Sequence, residues 1–104
     1  MQRRAFKMKL HPGQITEYKR RHDELWPDLA ALLKSTGISD YSIFLDEETL
    51  TLFGVLKVSD PDALNALPAR EVMQRWWAYM ADIMATHPNN EPVSIPLQEV
   101  FHLD

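Results

Sequence analysis

Apolar and polar residues change rhythm several times along the chain, and each change marks an element. Phe6, Met8 and Leu10 alternate with Lys7 and Lys9, the period-two pattern of a strand with one buried face. His11-Pro12-Gly13 stops it. From there to Thr36 the spacing is helical, with Ile15, Tyr18, His22, Leu25, Leu29 and Leu32 at steps of three and four. Pro27 lacks an N–H and clashes with the preceding turn, so the helix is expected to kink or restart near Trp26. Gly37 suits its end. Two strands are predicted at Tyr41–Leu45 and Leu50–Val58, joined by the acidic turn Asp46-Glu47-Glu48-Thr49. Asp60-Pro61 reads as a cap and first turn of a short helix to about Leu67, closed by Pro68. A longer helix follows, from about Ala69 to Met84, with Val72, Met73, Trp76, Met80 and Ile83 as its apolar stripe. After the turn-rich segment His87–Pro92, a last strand is expected at Leu97–Leu103.

The order strand, helix, strand, strand, helix, strand predicts one α+β domain over residues 1–104. It is the ferredoxin-like, split βαβ arrangement: an antiparallel sheet with both helices on one face. The two middle strands carry apolar residues on both sides, since Tyr41, Ile43 and Leu45 alternate with Phe44, and Leu52 and Leu56 with Phe53 and Val55. Helices cover one face only. A second copy of the sheet is the simplest cover for the other, so a homodimer is expected.

Composition narrows the chemistry. A net charge of −4 argues against nucleic acid as partner. No apolar run approaches the ~18 residues that span a bilayer, and lysines interrupt any export signal after Arg3-Arg4. The expected location is the cytoplasm. With no cysteine, thiolate catalysis, disulfides and thiolate metal sites are excluded. Neither a metal-ligand cluster nor a phosphate-binding glycine loop is legible, so no metal and no cofactor is expected.

Of the four histidines, His11 and His87 lie among turn residues and read as solvated, and His102 falls in the expected last strand. His22 sits within the apolar arc of the first helix, an arc of about 120°. A histidine there is either a core residue satisfied by a backbone carbonyl or a cavity residue held neutral and ready to exchange protons. Tyr18 lies one turn before it. Trp76-Trp77 adds two rings about 100° apart on a helix, so one packs while the other lines an edge. With Tyr41 these give flat apolar walls tipped by hydroxyls, which suits a carbohydrate. The basic run Lys19-Arg20-Arg21 reads as a solvated helix face.

The stretch Tyr18-Lys19-Arg20-Arg21-His22-Asp23-Glu24-Leu25-Trp26-Pro27-Asp28-Leu29 resembles the first helix of the L-rhamnose mutarotases. So do the segments Asp40–Asp46, Gln74–Met80, Pro92–Ser94 and Leu97–Leu103, in order and without obvious gaps. The resemblance implies interconversion of the α and β anomers of L-rhamnose by a dimeric α/β barrel of ferredoxin-like subunits, without cofactor or metal. It makes His22 the catalytic proton donor, and Tyr18, Tyr41, Trp76 and Trp77 the sugar-binding residues. Leu25 replaces a common isoleucine, and Phe44 an occasional tyrosine whose hydroxyl could bear on substrate preference. A non-catalytic small-ligand-binding regulatory module and a cofactorless monooxygenase, on the same dimeric scaffold, are the alternative readings.

Overall fold

The computed structural model describes residues 1–104. Strand β1 (Gln2–Lys9) leads to helices α1 (Ile15–Asp23) and α2 (Pro27–Ser35). Strands β2 (Ile38–Asp46) and β3 (Thr51–Val58) follow, then α3 (Pro61–Leu64), a single 3₁₀ turn, α4 (Glu71–Met80) and β4 (Ile95–Leu97). The sheet order is β2-β3-β1-β4, antiparallel throughout. This is the expected α+β, ferredoxin-like architecture.

Pro27 does restart the helix. Trp26 is extended at φ −61°, ψ 130°, and Pro27 opens α2 where its missing N–H is not needed. Gly37, at φ 90°, turns the chain into β2. The hairpin between β2 and β3 closes through Leu50 N–H to the Asp46 carbonyl, while the Asp46 carboxylate accepts from Glu48 N–H and the Thr49 hydroxyl. Leu50 takes a left-handed φ of 61° there.

Strand pairing sets which side chains face the helices. Phe6 pairs with Gly54, Met8 with Leu52, Ile43 with Gly54 and Leu45 with Leu52, so these residues share the covered face. The main core joins Leu10, Leu52, Leu29, Leu32, Met73, Trp76, Met80 and Ile83, and a smaller cluster of Ile38, Leu56 and Val58 lies beside it. The other face carries Phe53, Val55, Ile95, Leu97 and Phe44, the last 62% exposed. Phe44 therefore points away from the covered face.

Three expectations need correction. Helix α4 ends at Met80, and the chain turns so that Met84 bridges to Leu10 at the end of β1. Strand β4 covers Ile95–Leu97 and not Leu97–Leu103. Its Pro96 has no N–H, which suits an edge position and a short ladder. Val100, Phe101 and Leu103 form no strand and stay exposed. His102 accordingly lies outside the sheet, against Asp104.

Candidate active site

A cavity of about 1020 Å³ opens between α1, α4 and the covered face of the sheet. It is large for a single small ligand, at the top of the ~300–1,000 Å³ range of such clefts. All five residues singled out by sequence reasoning line it: Tyr18 and His22 from α1, Tyr41 from β2, Trp76 and Trp77 from α4.

Helix α1 brings Tyr18 and His22 to one face because they are four residues apart. Their rings stack, with centroids 4.3 Å apart and planes at 30°. Trp76 meets His22 edge-on at 5.4 Å and 87°. His22 Nδ1 lies 3.0 Å from the Tyr18 backbone carbonyl oxygen. A carbonyl can only accept, so Nδ1 carries the proton and Nε2 keeps its lone pair. One ring nitrogen is thus satisfied by a backbone carbonyl, and the ring lines the cavity. Burial lowers the His22 pKa below its usual value, against the opposing pull of the Tyr18 carbonyl and the Asp23 charge. The resting imidazole is neutral at pH 7, a base at Nε2.

Tyr41 reaches the covered face through a bulge. Ser39 pairs with Lys57 and Ser42 with Val55, so Asp40 and Tyr41 together face one residue of β3. Asp40 takes a left-handed φ of 47°, and its carboxylate meets Lys57 Nζ at 3.2 Å. The extra residue shifts the alternation by one between Ile38 and Tyr41, so that Tyr41, in phase with Ile43 and Leu45, shares the covered face with Ile38. Although 38% of Tyr41 is open, burial at its hydroxyl end pushes the pKa up to about 12. Tyr18 is displaced upward too, first by burial and then by the Tyr41 hydroxyl nearby. Both phenols therefore stay protonated and can offer hydrogen bonds to a sugar.

Sequence reasoning missed several residues behind these walls. Phe6 lines the cavity and meets Tyr41 edge-on at 6.2 Å. It rests directly on Gly54, where an added Cβ would lie 2.3 Å from Phe6 Cζ. Trp26 and Tyr79 back Trp76, with centroids 5.1 and 5.6 Å from it. Arg21 is not solvated but 9% exposed, and it is bonded to Glu17, Asp82 and the Tyr79 carbonyl. The glycine opposite an aromatic was a readable signal only once the strand register was known. His11 and His87 are exposed, as expected.

The sequence model of the L-rhamnose mutarotase family matches residues 3–103. The chain belongs to this family. An L-rhamnose mutarotase of Mesorhizobium japonicum is 63% identical over 99 residues, covering 95% of this chain and 94% of that one. One from Jannaschia sp. is 59% identical over 103 residues, covering 99% of each. The crystal structure of L-rhamnose mutarotase FA22100 from Formosa agariphila superposes with a TM-score of 0.93 at 55% identity, over the full length of both chains. A crystal structure of an antibiotic biosynthesis monooxygenase shares the fold at a TM-score of 0.52 and 15% identity, covering 96% of this chain and 99% of that one. That likeness is one of fold alone. No helix is long and apolar enough to cross a membrane, and no cluster of histidine and acidic side chains could hold a metal ion.

Proposed function

We propose that the chain interconverts the α and β anomers of L-rhamnose by acid/base ring opening at His22. The observation that carries this is a neutral histidine whose Nε2 is free beside an aromatic cavity, in a member of this family. Nε2 takes the proton from the anomeric hydroxyl. As the C1=O1 bond forms, the bond from C1 to the ring oxygen breaks, and its electron pair moves to that oxygen. The imidazolium then returns its proton to the former ring oxygen, now bonded only to C5, which before the cleavage shared C1 with the hydroxyl just deprotonated. After the aldehyde turns about the C1–C2 bond, the steps reverse on its other face.

One histidine can serve both transfers, because it is the only cavity side chain with an ordinary pKa near neutrality. Tyr18 and Tyr41 hold the sugar through their hydroxyls, and Trp76 and Trp77 supply ring surface for its C–H groups. The acceptor of the first proton is thus the donor of the second, and His22 is both base and acid.

The working form is read as a homodimer. Phe44, Phe53, Val55, Ile95 and Leu97 leave an apolar sheet face uncovered, and Val100, Phe101 and Leu103 are exposed as well. A second copy laid on that face buries it.

His22→Ala tests the chemistry. The expected result is a folded protein whose anomer exchange, followed by NMR saturation transfer on L-rhamnose, falls ~10²-fold or more. Exchange near the parent rate would remove His22 from the reaction.

A further inference from the structure

Arg21 is the one charged residue in the core, and the chemistry above does not use it. It leaves α1 on the side away from the cavity. Its Nε donates to Glu17 at 2.7 Å, and Nη1 donates to the Tyr79 carbonyl at 2.7 Å and to Asp82 at 2.8 Å. Nη2 reaches the second Asp82 oxygen at 3.3 Å. The guanidinium also lies over the Tyr79 ring, 4.5 Å from its centroid. Close backbone packing against α4 comes from α2 rather than α1. Arg21 is therefore a buried polar tie between α1 and the end of α4.

What the tie holds leads to the cavity. Tyr79, gripped by its carbonyl and its ring, stacks on Trp26 at 5.5 Å and leans on Trp76 at 5.6 Å. Trp76 in turn presses its edge on His22, the residue after Arg21. We propose that Arg21 is a positioning residue: it locks α1 against the last turn of α4, so that the His22 ring is fixed between Tyr18 and Trp76 with Nε2 toward the sugar. The inference rests on the reading of His22 as the proton carrier. Arginine is required because a rigid planar fork can meet a carboxylate on its own helix, a carbonyl in the last turn of α4, a carboxylate just beyond it, and an aromatic face together. Lysine brings the charge as a single point and cannot span them.

The test compares Arg21→Lys and Asp82→Asn with the parent, using exchange rates over a range of L-rhamnose concentrations and the NMR shifts of the His22 ring protons. Asp82 is exposed, so its variant keeps the fold and decides the matter if Arg21→Lys does not fold. The expected result in folded Arg21→Lys is a kcat lower by ~10-fold or more, since small misplacements of a catalytic group are costly. KM should change by a smaller factor than kcat, because Phe6 and Tyr41 stay on the sheet and keep part of the sugar's contacts. The His22 ring signals should also shift, as they leave the ring currents of Tyr18 and Trp76. Asp82→Asn should show the same pattern, reduced. A folded Arg21→Lys with parental kcat and His22 shifts would overturn the proposal, as would parental values in Asp82→Asn when Arg21→Lys is unfolded. If His22→Ala remains active, the His22 reading fails, yet the ring shifts still decide whether Arg21 positions that side chain.

Discussion

Replacing Gly54 by alanine tests the cavity floor. Gly54 is buried in β3 and has an ordinary strand conformation, so alanine meets no backbone strain there. Its Cβ would lie 2.3, 2.6 and 2.9 Å from Phe6 Cζ, Cε2 and Cε1. Carbon atoms rest at ~3.5–4.0 Å, so the ring must retreat by roughly 1 Å. The strands cannot slide apart, because Phe6 and Gly54 are paired within a full ladder. The ring therefore swings into the cavity or onto Tyr41. Overpacking of this kind costs ~1–3 kcal/mol, while alanine recovers ~0.4–1 kcal/mol by restricting the unfolded chain. The expected net loss is about 1–2 kcal/mol. With a urea m-value of ~1–2 kcal/mol/M for a small domain, the unfolding midpoint should fall by roughly 1 M. A Phe6 ring pushed into sugar space should raise the KM for L-rhamnose ~10-fold and leave kcat within about threefold, an effect of ~1.4 kcal/mol on binding. Phe6→Leu in the same chain should restore most of the stability. Unchanged urea midpoint and KM in Gly54→Ala would show that Phe6 does not fill this space, and the account of the floor would be wrong.

Burial lowers the His22 pKa, so exchange should persist below pH 6.5 and fall on the acid side only as the lowered pKa is crossed, read from rates against pH. The sign follows from the neutral imidazole being the active base: protonation removes it, and burial delays protonation. L-rhamnose should exchange faster than L-mannose, which carries a hydroxyl in place of a hydrogen at C6. The aromatic walls discriminate against an added hydroxyl by at most ~10²-fold, and equal or faster L-mannose exchange would show a polar pocket at C6. Light scattering at micromolar concentration should give twice the chain mass, and Val55→Asp, on the open sheet face, should shift it toward one; a parent that is monomeric would remove the second copy from the account.

How far the sequence carried depends on whether an element's reasons are local. The alternation of Phe6, Met8 and Leu10 and the break at Pro27 both follow from neighbours, and both elements stand as expected. The carboxyl-terminal strand was misplaced because Val100, Phe101 and Leu103 look strand-like, while the observed β4 contains a proline. Arg21 was read as solvated because its main partner, Asp82, lies 61 residues away, beyond the reach of helical periodicity. Tyr41 was singled out as an aromatic wall with a hydroxyl, and through the family resemblance. What no pattern revealed is the left-handed Asp40 that keeps the phase of Tyr41 against β3. Tyr18 and His22 were legible as a pair because helical spacing alone stacks them, whereas their meeting with Trp76 joins two helices and shows only in the fold.

Strand β1 pairs with β3 on one side and β4 on the other, and this placement bears on synthesis. The hairpin of β2 and β3 can close within microseconds of its emergence. β1 emerges first and then waits, since roughly 40 residues separate it from β3, which takes ~2–8 s at 5–20 residues per second. During that interval it is an unpaired strand with Phe6, Met8 and Leu10 along one side, the kind of segment that recruits other chains. Arg3, Arg4, Lys7 and Lys9 punctuate it with four positive charges. Two nascent copies therefore repel before their edges can join, and the strand stays available until its own partners arrive.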